Sequence, residues 1–289
     1  MTKNNPKEIL NIIKNQYEKN QFDKIVEWKA IKPSVFSEVM GTIFKPVTWL
    51  IQTVVPESAM RGAIQACNGT SKYLIDNEKF KKDCNISDIK DLKNRSLIEC
   101  DNLADEIHNW AIAYAATEGG ITGATGIVGM AVDIPAIITL AFRTINKIGM
   151  CYGFESRTEE DNQTILSILS VAGANTMKEK QLALLTLKQL EVIIIKTTWK
   201  KMAQKATENE FTKEAGIIAL KNLAKQLGIN LSKRKALQVV PVIGAAVGAS
   251  VNGLFIQDIS WAARRIFQER WIMEKYKEEL VYDEYENVK

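Results

Sequence analysis

Two uncharged, glycine-rich stretches set the tightest limits on what this chain can fold into. The first reads Gly119-Gly120-Ile121-Thr122-Gly123-Ala124-Thr125-Gly126-Ile127-Val128-Gly129; the second lies within Ala236 to Ile256. On a helix, Gly119, Gly123 and Gly126 fall at i, i+4 and i+7 and share one face. In the second stretch Gly244 and Gly248 are four apart, as are Ala245, Ala249 and Gly253. Each helical glycine costs about 1 kcal/mol relative to alanine, so something must offset several of them. Close approach by a neighbouring helix is the obvious compensation. Neither stretch is a phosphate cradle: the first has the wrong spacing for Gly-x-Gly-x-x-Gly, follows a helix rather than a strand, and leads to no Gly-Lys-Ser/Thr.

The second stretch carries 21 uncharged residues after Lys233-Arg234-Lys235. That length is enough to cross a bilayer, and the basic triplet suits an interfacial anchor. Pro241 and Asn252 interrupt it, however, and alanine and glycine make it only mildly hydrophobic. A close-packed core, a shallow or re-entrant insertion and a full span all remain open.

The rest of the chain reads as helix. Periodic apolar positions cover 6–30, 57–75, 95–118, 177–206 and 210–227, the last stopping at Gly228. Residues 35–55 are strongly apolar, with Pro46 inside and Pro56 closing them. Residues 80–92 read as a connection with Asn85 and Asp88 as turn candidates. Asp133 and Pro135 suit an N-cap and first turn, so a helix is expected from there to Tyr152, ended by Gly153. Thr158-Glu159-Glu160-Asp161 opens another helix, ending near Ala174. A long charged helix follows from about Gln257 to Leu280. The run Val192-Ile193-Ile194-Ile195 is strand-like but has no strand to pair with. The fold class expected is all-α: a single multi-helix domain over 25–280 with two glycine-rich apolar helical segments, an N-terminal helical arm at 1–24 and a tail at 281–289. A weak internal echo links the halves, each with a glycine-rich stretch, an aspartate (Asp133, Asp258) and a helix bearing arginine.

With 38 basic and 34 acidic residues, charge is too balanced to call for a nucleic-acid partner. A charged fraction of 25% excludes a polytopic transporter. No apolar core follows the amino terminus, so no export signal is expected and a cytoplasmic location follows. Cys67, Cys84, Cys100 and Cys151 form no Cys-x-x-Cys pair and read as buried or idle thiols.

Chemistry-bearing clusters are few. Asp101, Asp105 and His108 share a helix face that could meet a metal, yet His108 is the only histidine, and a solvated polar stripe is the simpler reading. Neither a metal nor another cofactor is expected. Glu118 and Asp133 flank the first glycine-rich stretch as caps or as an acid–base pair. Arg143 and Lys147 lie with Thr139 on a face opposite Ile137, Leu140, Ala141 and Ile148, as an outer charged stripe or a headgroup or phosphate contact. Arg264, Arg265, Gln268, Glu269 and Arg270 read as a charged band pairing within itself. Trp261 and Trp271 are core residues or interfacial anchors. No serine sits in a nucleophile elbow and no second histidine exists, so no catalytic triad can be built.

Glu118-Gly119-Gly120-Ile121-Thr122-Gly123, Val132-Asp133-Ile134-Pro135-Ala136 and Ile148-Gly149-Met150-Cys151-Tyr152-Gly153-Phe154 together resemble the central signature of the EcsC protein family. A second block, Val240-Pro241-Val242-Ile243-Gly244-Ala245-Ala246-Val247-Gly248-Ala249 with Asn252, then Ala262-Ala263-Arg264 and Glu269-Arg270, is similar as well, so the resemblance spans roughly 25–275. It implies a bacterial, cytosol-facing protein whose founding relative is encoded beside an ABC-type exporter. It brings no catalytic residues, only motif positions: Glu118, Gly119, Gly123, Asp133, Pro135, Tyr152, Gly153, Pro241, Gly244, Gly248 and Asn252. Val240 departs from the isoleucine more usual there. With Arg143, Asp258 and Arg265 from the chain's own pattern, these are the candidate functional positions.

The function expected is a non-enzymatic, membrane-associated accessory or interaction protein, peripheral at the inner face of the cell membrane. Its partner would be a membrane surface or a membrane protein, and self-association is compatible with it. An enzyme with a pocket lined by Glu118, Asp133 and Asp258 is the second class. A membrane-inserting effector is the third.

Overall fold

The computed structural model describes residues 6–33, 61–66, 75–123, 126–156, 158–203, 221–231 and 244–277. Every regular element among them is helical: α1 (Pro6–Ile12), α2 (Gln16–Ala30), α3 (Asn77–Asp83), a 3₁₀ helix (Ile89–Asn94), α4 (Leu97–Gly123), α5 (Gly126–Cys151), α6 (Glu159–Ala172), α7 (Met177–Ala203) and α8 (Gly244–Lys275). Residues 61–66 and 221–231 are helical too. The chain is all-α, as its periodicity requires. The apolar stretch 35–55, Pro241, residues 204–220 and the tail 281–289 lie outside the described residues.

The α4–α8 packing is the axis of the fold, with α2, α5 and α6 arranged around α8. Its α4 side is a seam of small residues, Ala104, Ala111 and Ala115, all fully buried at i, i+7 and i+11. On α8, Ser260 and Ala263 are fully buried. Gly253 meets α4 at Ile112 and Ala116, each 3.7 Å from where its Cβ would stand. Here the expected close helix approach is seen, with room left for one methyl. Gly244 and Gly248 lie in the first turns of α8, and the surroundings of their side-chain positions fall outside the described residues. Against this axis α5 buries Ile137, Ile138, Ala141, Phe142, Ile145 and Ile148, the isoleucines and the phenylalanine contributing about 1.5–3 kcal/mol each when fully buried.

Neither glycine-rich stretch is a separate segment: the first spans the end of α4 and the start of α5, and the described part of the second, from Gly244, leads α8. No helix starts at Asp133: α5 begins at Gly126 and runs straight through Asp133, with Pro135 inside it. An interior proline costs about 3 kcal/mol or more. Pro135 stands on the exposed side, where water can satisfy the carbonyl left unbonded, and the buried face opposite outweighs the loss. Likewise α8 starts at Gly244, not Gln257. The helix expected to stop at Gly228 continues to residue 231, because Leu227 and Leu231, one turn apart, are both fully buried.

Residues 80–92 are more ordered than a connection. Asp76 caps α3 by accepting from Lys79 N at 2.9 Å. Asn85 then takes φ 52°, and a capping box at Asp88 and Asp91 starts the 3₁₀ helix. Near the amino terminus the helical pattern breaks at Asn15, whose side chain caps α2. At its other end Lys180 of α7 donates to the Trp28 and Ile31 carbonyls, at 2.5 and 2.7 Å, closing a C-terminus with a cation. Burial lowers this ammonium to about 8, against the pull of Asp258.

The end of α5 is built by glycine, as its sequence suggests. Gly153 has φ +80°; Phe154 N donates to Gly149 O and Gly153 N to Met150 O, both at 2.9 Å, the paired bonds of a Schellman motif. This turn fixes where Tyr152 points. A Cβ on Gly153 would adopt a left-handed conformation and stand 2.9 Å from Lys93 N. Gly153→Ala should therefore cost about 1–2 kcal/mol or more, whereas Gly253→Ala should be neutral or gain up to about 1 kcal/mol of helix propensity. Urea unfolding of the two variants checks this; equal effects would contradict the assigned geometry.

Candidate functional site

The polar stripe on α4 is only partly solvated, with Asp105 half-exposed. Asp101 is 1% exposed and lies between α2, the end of α5 and α8. It accepts from Tyr152 Oη at 2.5 Å, Tyr17 Oη at 2.6 Å and Gln268 Nε2 at 2.7 Å. The Arg264 guanidinium stands 3.6 Å from the same carboxylate and pairs directly with Asp105. A buried carboxylate is tolerated only when paired and hydrogen-bonded, and here four side chains supply that. Gln268 Oε1 in turn accepts from Arg265 Nη1 at 2.9 Å, which also donates to Gln21 at 3.0 Å. One turn further along, buried Glu18 of α2 accepts from Tyr276 Oη at 2.8 Å and from Lys275 at 2.6 Å.

The charged band on α8 therefore does not pair mainly within itself. Arg264 reaches α4 and Arg265 reaches α2; Glu269 pairs with Lys29 of α2, while Arg265 to Gln268 and Arg270 to Glu274 are bonded within the helix. Trp271 is core. Trp261 is half-buried, with His108 edge-on at 5.4 Å and Arg264 and Arg265 at 5.1 and 5.0 Å from its ring. Burial lowers the His108 pKa, keeping the imidazole neutral near pH 7. With Asp101 held by tyrosines and Asp105 by arginine, the stripe serves packing rather than metal ligation, and no group of three His, Cys, Asp or Glu is placed for a metal among the described residues.

The remaining candidates are scattered. Glu118 accepts from Tyr114 Oη at 3.1 Å, while Asp258 acts on Lys180, so the two carboxylates have different neighbourhoods. Asp133 lies within α5. Asn252 is buried in α8. A groove of about 570 Å³ between α6, α7 and residues 221–231 is lined by Leu166, Ser170, Leu182, Asn222 and Gln226 among others, with none of the three carboxylates. Of its two charged residues, Glu179 is occupied by Asn175 N at 2.7 Å.

One surface feature does match the pattern read from the sequence. Arg143 and Lys147 project from α5 over Trp110 of α4, each 5.3 Å from its ring. Trp110 stacks on Tyr114, with ring centroids 5.3 Å apart. Both rings are more than 40% exposed.

The sequence does not single out Tyr17 and Gln21 as site residues, while Asp101 and Gln268 read there only as parts of a polar stripe and of a self-pairing charged band. A signal existed for Asp101, which shares the apolar stripe Leu97, Cys100, Ala104, Ala111, Ala115. An aspartate at such a position must have partners.

The buried acids give a definite pH response. Burial pushes the Cys100 thiol up to about 12 and that of Cys151 well above its ordinary value. Burial, then the Asp101 carboxylate, raises Tyr152; burial and the bond to Asp101 raise Tyr17. These groups stay protonated in the fold while the unfolded chain loses its protons from about pH 8.5 for thiols and 10 for phenols. Their contribution is complete below those values and is lost as pH rises. Lys180 and Lys147, both lowered in the fold by burial, oppose this. Urea midpoints should fall between pH 8 and 10.5, and less steeply in Cys100→Ala; a flat profile would contradict the burial of these groups.

The model of the EcsC protein family matches residues 19–272. The uncharacterised protein YdbA of Bacillus subtilis (strain 168) is 23% identical over 190 residues, covering 66% of this chain and 64% of its own length. This chain thus spans less than two thirds of that relative. No solved structure matches.

Proposed function

The chain belongs to the EcsC protein family, and from that premise we propose that it is a non-enzymatic accessory protein. It would work at the inner face of the cell membrane, in the service of an ABC-type exporter or a similar membrane partner. The observation that carries this is the α4–α5 hairpin. Its two long helices are joined at 124–125, and contact of Trp110 with Arg143 and Lys147 shows that they run back along one another. From Gly119 to Val132 the hairpin end carries no charged residue. That is about seven residues per arm, or roughly 10 Å of helix. The length suits shallow insertion of about 5–10 Å at the interface and falls far short of the roughly 30 Å hydrocarbon core. Among the described residues no helix is long and apolar enough to cross a membrane. In the sequence, Glu118 and Asp133 bound this uncharged stretch.

The enzyme reading gains no support from the placement of Glu118 and Asp258, which face different neighbours. Flotation with neutral phosphatidylcholine vesicles tests the proposal. The protein should co-float, and Ile121→Asp with Val128→Asp should abolish this while leaving the melting temperature within a few degrees. Absence of flotation, or flotation indifferent to the tip charges, would overturn the reading.

A further inference from the structure

The cationic and aromatic face of the hairpin is unlike the chain's other charged clusters. Arg264, Arg265, Glu269 and Lys275 all find partners on other helices. Arg143 and Lys147 are one turn apart on α5, a spacing at which like charges repel, and neither forms an ion pair among the described residues. They share the face of a single indole. Arg143 Nε is enclosed and has no hydrogen-bond partner. Burial, and then the charge of Arg143, lowers the Lys147 pKa; Lys79 adds to this while Cys151 and Asp83 oppose it. Two cations held together in this way make a site that an external anion would relieve. The rings beside them have an apolar body and a polar edge, the combination enriched where membrane meets water.

We propose that Trp110, Tyr114, Arg143 and Lys147 form a binding face for the phosphate of an anionic phospholipid headgroup. The proposal rests on the membrane reading above and adds a lipid class to it. The geometry requires the hairpin to lie obliquely. Trp110 is 13 residues before the end of α4, about 20 Å along the helix, so a tip-first upright hairpin would hold the cations clear of the headgroups. Tilted onto its Trp110 side, the hairpin sets its tip at the edge of the hydrocarbon and the guanidinium and ammonium at phosphate level. Glu118, on the same side, is engaged by Tyr114 Oη, and the two cations outnumber it.

The test compares flotation on phosphatidylcholine vesicles with flotation on vesicles containing 30% phosphatidylglycerol, a composition chosen for the assay. Wild-type protein should bind the anionic vesicles more tightly, and Arg143→Gln with Lys147→Gln should remove that preference, a loss of roughly 30-fold for two interfacial cations. Binding of the double variant to neutral vesicles should persist. Lys147→Gln alone, on a partly exposed side chain, should lose part of the preference and guards against misfolding of the double variant. Equal wild-type binding to both vesicles would overturn the lipid assignment while leaving the membrane reading intact. Binding to neither would overturn both. A preference unchanged in the variants, or abolished in wild type by millimolar glycerol phosphate, would also overturn it, the latter by showing a site for a free phosphate ester.

Discussion

A carboxylate taken out of water decides how these helices meet. Left unpaired, Asp101 would carry a desolvation cost of several kcal/mol, so its position can be occupied only when Tyr17, Tyr152, Gln268 and Arg264 arrive together. These four side chains come from three places. Tyr17 is on α2, Tyr152 follows α5, and Gln268 and Arg264 stand one turn apart on α8. The small-residue seam between α4 and α8 brings the backbones close without specifying a register, since alanines and glycine slide past one another at little cost. The Asp101 cluster supplies the register. It also explains the glycine at 153, whose left-handed turn sends Tyr152 inward instead of continuing the helix.

The same logic separates the interior from the surface. Charges on α8 that look like an exposed band are used up against α2 and α4, which leaves that side of the protein electrically settled. The α4–α5 hairpin is arranged differently, with an uncharged end, two exposed rings and two cations lacking carboxylate partners among the described residues. Interior and hairpin face are thus built from the same residue types put to different uses. In one, arginines over Trp261 also reach carboxylate or amide groups on neighbouring helices; in the other, an arginine over Trp110 forms no ion pair among the described residues.

Helix content was plain in the sequence because apolar spacing repeats every three to four residues over most of the chain. The Schellman turn was legible too, since few residues other than glycine end a helix that way. Boundaries were harder. Pro135 reads as a helix start and Gly228 as a stop, yet burial of Ile137, Phe142, Leu227 and Leu231 overrides both signals, and no local rule carries that information. The partners of Asp101 were illegible for a similar reason: residues 17, 152 and 268 are brought together only by tertiary packing. What the sequence did carry was the anomaly of an aspartate on an apolar stripe. The relation of Arg143 and Lys147 to one face could be read directly, because i, i+4 spacing on a helix is enough to establish it.

The dependence of the fold on the buried carboxylate is measured most directly by a double-mutant cycle between Asp101 and Arg264, using urea unfolding of Asp101→Ala, Arg264→Met and the pair. Each single change leaves a partner unmatched, and Asp101→Ala should cost about 3–5 kcal/mol. The pair should cost less than the sum, with a coupling of at least about 1 kcal/mol. Additivity within about 0.5 kcal/mol, or an Asp101→Ala protein as stable as wild type, would contradict the account.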